Sequence, residues 1–430
     1  MQAQHLATLF TKLLLIAILA ARCAHSAGEN AKEFMDMCTL YTLLTQPIPK
    51  VEVAAGDKGE SSQSPETKMS LILDRMTKMN LTLAPTAVTA HFKATDPTGG
   101  WKALPDSHEL KVYFGKEADL EQLNKRYDEL MATSGDRLRQ ELKLPLSEAT
   151  QRQLRKPASH IADQAQHLQQ IFNGRLRKLN SARAEARKAL ITALAGEQTA
   201  QALTKEQQSG DAACDPEIKD KDFAWKASAQ RDENCKKAGD NGATAGQTLA
   251  TDVVCLFHSQ AGNNNQVCTA DNHAAGTEIQ AGHSALANAN ANWKALKAKF
   301  PAQVQGHELH LTQATLSEAI AAFKSRLGQN MLASAVSLTT VAGKSVTQPT
   351  FYGVYVTAES NTVSCTSSGF STSTANKGVC IDYTELLKPT KKIPWIENIK
   401  KAQKQLQEAE ELFGEIKALL SQAHSLQNLM

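Results

Sequence analysis

One apolar stripe near the end of the chain constrains the fold more than any other feature. Trp395, Ile399, Ala402, Leu406, Ala409, Phe413, Ile416 and Leu420 step by 4, 3, 4, 3, 4, 3 and 4 residues. This is a heptad seam, whose period of about 3.5 lies below the 3.6 residues of a straight helical turn. A helix that keeps such a seam winds around partners. Pro394 sits just before it, where a proline is tolerated in a first turn. The seam buries a single stripe, so the helix over about residues 395–425 needs one or two long companions.

The natural companion is the 158–196 segment. Its stripe is Ile161, Ala165, Leu168, Phe172, Leu176, Leu179, Ala186 and Leu190, with Arg175, Arg177, Lys178, Arg183, Arg187 and Lys188 on the other faces. It reads as one arm of a helical hairpin with a solvated basic face. With 47 basic and 44 acidic residues the chain is close to neutral, so no nucleic-acid partner is expected.

The first 26 residues follow the order of a secretory signal peptide. Lys12 precedes an apolar run from Leu13 to Ala21, and Ala24 and Ser26 precede a cut before Ala27. The run is short of the roughly 20 apolar residues of a membrane-spanning helix. Cleavage removes Cys23 and leaves Cys38, Cys214, Cys235, Cys255, Cys268, Cys365 and Cys380. In an oxidising compartment these mostly pair. Two local bridges suggest themselves, Cys255–Cys268 and Cys365–Cys380, each flanking a polar loop. Cys38, Cys214 and Cys235 then compete for one further bridge. The odd count leaves a free thiol or an intermolecular link.

The remaining pattern is mainly α with a minor β component. Residues 29–45 put Phe34, Met37, Cys38, Tyr41 and Leu44 on one helical face, and 67–83 are helical up to Pro85. Asn80-Leu81-Thr82 is an N-x-[ST] sequon, which makes Asn80 a glycosylation candidate. From Glu117 to about Glu197 the chain is helical, with breaks expected at Gly135, Pro145 and Pro157. Residues 205–282 read as a disulfide-stapled, loop-rich lobe rather than a further bundle helix. Helices return over 283–300 and 312–330. The Ser/Thr-rich segment of about 333–390 holds a strand at Phe351–Val356 and an exposed loop from Ser367 to Lys377.

Catalytic motifs are nearly absent. Gly343-Lys344-Ser345 ends like a P-loop, but Leu338 stands where the phosphate-cradling turn needs glycine. His307-Glu308-Leu309-His310 has its second histidine one residue early for a zinc-protease helix, and no third ligand is in view. Glu410 and Glu411 lie on the polar face of the heptad helix. The expectation is no catalytic residue, no metal site and no cofactor.

Several short motifs, each weak alone, occur in a specific order. After the signal peptide come Asn30-Ala31-Lys32-Glu33-Phe34 and Leu40. Gly246-Gln247-Thr248-Leu249 and Asp252-Val253-Val254-Cys255-Leu256 lie in the cysteine-rich middle. Val379-Cys380-Ile381-Asp382-Tyr383 and Ile393-Pro394-Trp395 then lead into the heptad helix. In that order they resemble the B-type N-terminal domain of trypanosome variant surface glycoproteins over about residues 27–425. The resemblance implies one domain over residues 27–430 and an elongated homodimer on a helical-bundle core with loop-rich lobes. It also implies a coat on the cell surface that shields the membrane sterically, meets host antibodies and is exchanged antigenically, without catalysis. Receptors that capture host macromolecules resemble the same family and offer the alternative function.

Two departures from the family pattern stand out. Relatives often show Cys-Leu-Cys where this chain has Cys255-Leu256-Phe257, and a cysteine missing at 257 would explain the odd count. Family members also continue into a small cysteine-rich domain and a lipid-anchor signal. Ser421 to Met430 lacks the small-residue site, spacer and hydrophobic tail of such a signal. Membrane attachment is expected only through an anchor not encoded in this sequence, and secretion if the protein is unanchored.

Overall fold

Leucine- and alanine-rich segments become helices because these side chains lose little rotamer freedom there. The computed structural model describes residues 28–55, 61–91, 102, 104–114, 120–132, 135–239, 244–258, 278–300, 309–333, 348–357, 363–368, 370 and 376–430. The main helices are α1 (Ala31–Thr45), α2 (Pro65–Thr82), α3 (Leu120–Met131), α4 (Glu148–Ala195), α5 (Leu249–Phe257), α6 (Ala285–Lys297), α7 (Gln313–Arg326) and α8 (Pro394–Leu429). Three strands, β1 (Met331–Ala333), β2 (Phe351–Thr357) and β3 (Gly378–Asp382), form one small sheet. The fold is mainly α, as the composition suggests. The discounted Gly343-Lys344-Ser345 and His307, together with Cys268 and the signal segment, lie outside the described residues.

The chain divides into two compact units. The larger contains Met1–Lys50 and Asn180–Glu408, the smaller Val51–Leu179 and Ala409–Met430.

In the larger unit, Phe34, Met37, Leu40 and Leu44 of α1 are buried. The Phe34 ring meets Phe257 edge-on at 5.1 Å, and Tyr41 packs on Trp293 and Phe300. Aromatic pairs in these tilted and edge arrangements add to area burial. All nine residues of α5 are buried. The 205–282 region is stapled by the Cys235–Cys255 bridge and carries one core helix among its short elements. Its short apolar run, Val253 to Phe257, carries no solvent face, so periodicity alone does not reveal a helix.

β1 runs parallel to β2, and β2 antiparallel to β3 with Gly353 opposite Cys380. Gly353 has φ +105°, and a Cβ there would lie 2.6 Å from the Val379 carbonyl oxygen. Only glycine fits both demands. Asn30 ties this sheet to α5: its Nδ2 donates to the carbonyls of Leu256 and Val379, each at 2.9 Å, and its Oδ1 accepts from Val354 N at 2.6 Å.

Among the described residues two disulfides form, Cys235–Cys255 and Cys365–Cys380. Cys255 is thus bonded to Cys235 rather than to Cys268. The short helix Arg231–Cys235 lies against α5, with Cα atoms of the bonded pair 5.3 Å apart, within reach of a disulfide. Cys38 and Cys214 are buried free thiols. Ser367, expected in an exposed loop, is fully buried because it caps the Asp232 carboxylate.

In the smaller unit, α2 and α3 are joined by Asp74, which accepts from Arg126 at 2.9 Å and lies 2.9 Å from Lys78. A local core forms from Leu81, Ala84, Val88, Leu104, Leu110, Leu123 and Tyr127. The chain breaks near Gly135 and Pro145 as expected, but α4 runs unbroken through Pro157. Proline removes one helical hydrogen bond. Contacts on both sides hold the helix across that gap. Gln151 donates to Thr82 O, Arg155 donates twice to Leu83 O at 3.2 Å, and Ala158 is buried. Further along, Arg175 and Glu415 pair at 2.7 Å, linking α4 to α8 within this unit.

Candidate functional site

The groups with the strongest chemical potential are buried ties, not an open cleft. Thr248 caps α5 by accepting from Thr251 N, which places Asp252 in the first turn facing the core. Asp252 is fully buried. Its carboxylate accepts from Gly246 N at 2.6 Å, Tyr383 OH at 2.5 Å and Trp395 Nε1 at 2.8 Å. Burial outweighs these three donors and lifts its pKa to about 7.

A second tie centres on Arg231, which is buried. It pairs with Asp232 at 2.5 Å, donates from Nε to His258 O at 3.0 Å and from Nη2 to Cys255 O. Asp232 also accepts from Ser367 N at 3.0 Å, Ser367 Oγ at 2.8 Å and Ser368 N at 3.1 Å. Burial pushes this carboxyl up, but the Arg231 charge and the Ser367 donors hold it below the ordinary aspartate range. His258 is pushed down to about 4, by burial first and then by Arg231, so at neutral pH its imidazole is uncharged.

The third cluster lies between α1, α7 and β2. Glu33 is buried, accepts from Asn330 Nδ2 at 3.2 Å, and rises to about 7 chiefly through burial. Asp36 pairs with Arg326 at 3.2 Å. Burial holds the Asp36 carboxyl above its ordinary range despite that partner. Glu33 is enclosed while Asp36 and Arg326 are partly exposed, and their contacts cross-link α1 to α7 and the segment that follows it. Among the described residues no group of three or more His, Cys, Asp or Glu could hold a metal ion.

The cysteine, glycan and heptad candidates fall in different places. Burial pushes the Cys38 thiol up to about 12, and its Sγ donates to Phe300 O at 3.2 Å. Cys214 is also raised by burial. Neither is a thiolate nucleophile at neutral pH. Trp395, Ile399, Ala402, Ala409, Ile416 and Leu420 are buried, while Leu406 and Phe413 are partly buried. Leu406 packs against the large core cluster. Asn80 sits near the end of α2, partly exposed.

Two open grooves lie in the smaller unit, each of about 690 Å³. One lies between α4 and α8 and is lined by His160, His167, Leu168, Ser421 and Leu426 among others. The other lies beside Asn80, Val88, Tyr113 and Arg155. Among the described residues, no helix is long and apolar enough to cross a membrane.

Sequence reasoning missed Asp252, Arg231 and Asp232 as organising groups. A signal existed for Asp252, a single acid at the head of the apolar run Val253-Val254-Cys255-Leu256-Phe257. A lone carboxylate there must find donors in the core. Arg231 and Asp232 have no such pattern, because their partners come from distant segments.

The described residues form a mainly helical, disulfide-bonded protein with a small three-stranded sheet. The sequence matches the family described as trypanosomal VSG domain over residues 12–424, so the chain belongs to the trypanosomal VSG domain family, whose members are surface-coat proteins. No curated protein matches the chain.

Proposed function

We propose that this protein is a coat antigen that shields the trypanosome plasma membrane sterically and supports immune evasion by antigenic exchange. The family match over residues 12–424 carries this reading. The buried placement of Asp252, Arg231 and Glu33 supports it, since each charge is spent on internal hydrogen bonds rather than exposed to a substrate. The reading includes a signal peptide cut before Ala27, entry into the secretory pathway, self-association as a homodimer, and no enzymatic activity. Host antibodies are the partners it meets, and contact with the membrane runs through a lipid anchor.

The test is a shielding assay. Trypanosomes carrying this protein as their main surface antigen are exposed to an antibody against an invariant membrane protein, before and after brief protease shaving. The reading expects antibody binding to rise sharply after shaving. Equal binding before and after would refute shielding.

A further inference from the structure

The groove beside Asn80 brings a modifiable side chain and an amphipathic concave surface together. Asn80 lies two residues before the last residue of α2, with Leu81 buried and the Thr82 hydroxyl turned back to Met79 O at 2.7 Å. Asn80 is therefore placed by the helix, not by a loop. Among the described residues its side-chain amide has no hydrogen-bond partner, and it lines the groove of about 690 Å³.

The opposite wall is amphipathic. Val88 is buried and supplies apolar floor, while Val112 on the helix Glu109–Phe114 is 72% exposed. The Tyr113 ring lies under the Arg155 guanidinium at 5.7 Å. Arg155 is fixed there by its two hydrogen bonds to Leu83 O. Lys156 and Ser159 add donors at the rim. An apolar, aromatic-lined concavity with a few fixed polar groups suits a ligand with an apolar ring face and hydroxyl edges. A pyranose has that form.

We propose that Asn80 carries an N-linked glycan whose first N-acetylglucosamine seats in this groove against Val112 and Tyr113. The bond forms before folding. Asn80 Nδ2 attacks the anomeric carbon of an oligosaccharide held on a lipid diphosphate, supplied by the secretory pathway. The new bond is N–C1. The C1–O bond breaks with its electron pair leaving on the diphosphate, and one amide proton passes to a base of the transferase. Folding then delivers the sugar to the groove, since α2 fixes the direction of Asn80. The inference goes beyond the coat reading and does not depend on it.

The experiment uses the full chain secreted from a glycosylating eukaryotic host. Intact mass should show a glycan that is absent in Thr82→Ala, a variant that keeps Asn80. Amide exchange is then compared for the folded glycoprotein, for the same protein trimmed by an endoglycosidase to one N-acetylglucosamine, and for Thr82→Ala. Exchange over residues 109–114 should be equally slow in the first two and at least about threefold faster in the third. Enzymatic removal of the whole glycan from the folded protein should give the same acceleration and does not depend on how the variant folds. An unmodified Asn80 overturns the proposal. So does equal exchange in all forms, or acceleration already on trimming to one sugar.

Discussion

The indole N–H of Trp395 reaches the carboxylate of Asp252 across 2.8 Å, although 143 residues separate them in sequence. The first turn of α8 is thereby fastened to the first turn of α5, within the larger unit. Both partners are fully buried, so the bond is made in a medium that screens little.

Trp395→Phe keeps most of the apolar volume and removes the donor. Asp252 then retains Gly246 N and Tyr383 OH but has lost one partner in the core. The expected cost is about 1–3 kcal/mol. Urea unfolding of both proteins measures it, as a lower midpoint at an unchanged slope. A midpoint equal to the parent's would show that the indole contact does not hold α8.

Glu33 makes stability depend on pH. Its pKa in the folded protein is about 7, above the ordinary 4.5. Between those values the folded chain holds a proton that the unfolded chain has released. Stability therefore falls as pH rises through this window, by up to about 1.4 kcal/mol per pH unit from this group. Asp252, also lifted to about 7, acts in the same direction. Glu33→Gln should flatten the slope between about pH 5 and pH 7 by one group's share. Unfolding midpoints across that range check it, and parallel curves for parent and variant would contradict it.

The Cys235–Cys255 bridge closes a loop of 20 residues. Loop-closure entropy assigns such a bridge about 3 kcal/mol. The double substitution Cys235→Ser with Cys255→Ser should lower stability by that order. Non-reducing peptide mapping should recover Cys235 linked to Cys255. Recovery of Cys255 linked to Cys268 instead would overturn the assignment.

Leu406→Asp places a charge where the side chain packs on the large core. A cost of about 3 kcal/mol follows from leaving that charge without a partner. Lys404→Asp on the exposed face of the same helix should stay within about 0.5 kcal/mol. Helicity and melting temperature report both. Unchanged values for Leu406→Asp would remove this position from the packed stripe.

The α8 helix was legible because its 4-3 spacing is a local property. Helix α4 was legible in type but not in continuity. Pro157 signals a break by its missing N–H, and only the anchoring of Gln151 and Arg155 to Thr82 and Leu83 lets the helix pass. The partner of Cys255 was hidden for a similar reason. Nearness in sequence favoured Cys268, whereas the approach of the Arg231–Cys235 helix to α5 is a tertiary event. Ser367 looked like loop surface by composition, yet it is the cap of a buried aspartate. Burial of charge is decided by distant donors, and single-segment patterns do not report those.

The coat reading meets its most direct test on living cells. The full-length product is followed by surface labelling of intact trypanosomes, with and without a phospholipase that cleaves lipid anchors. The account predicts an abundant surface signal that the phospholipase releases. A signal confined to the medium or to internal compartments would contradict it.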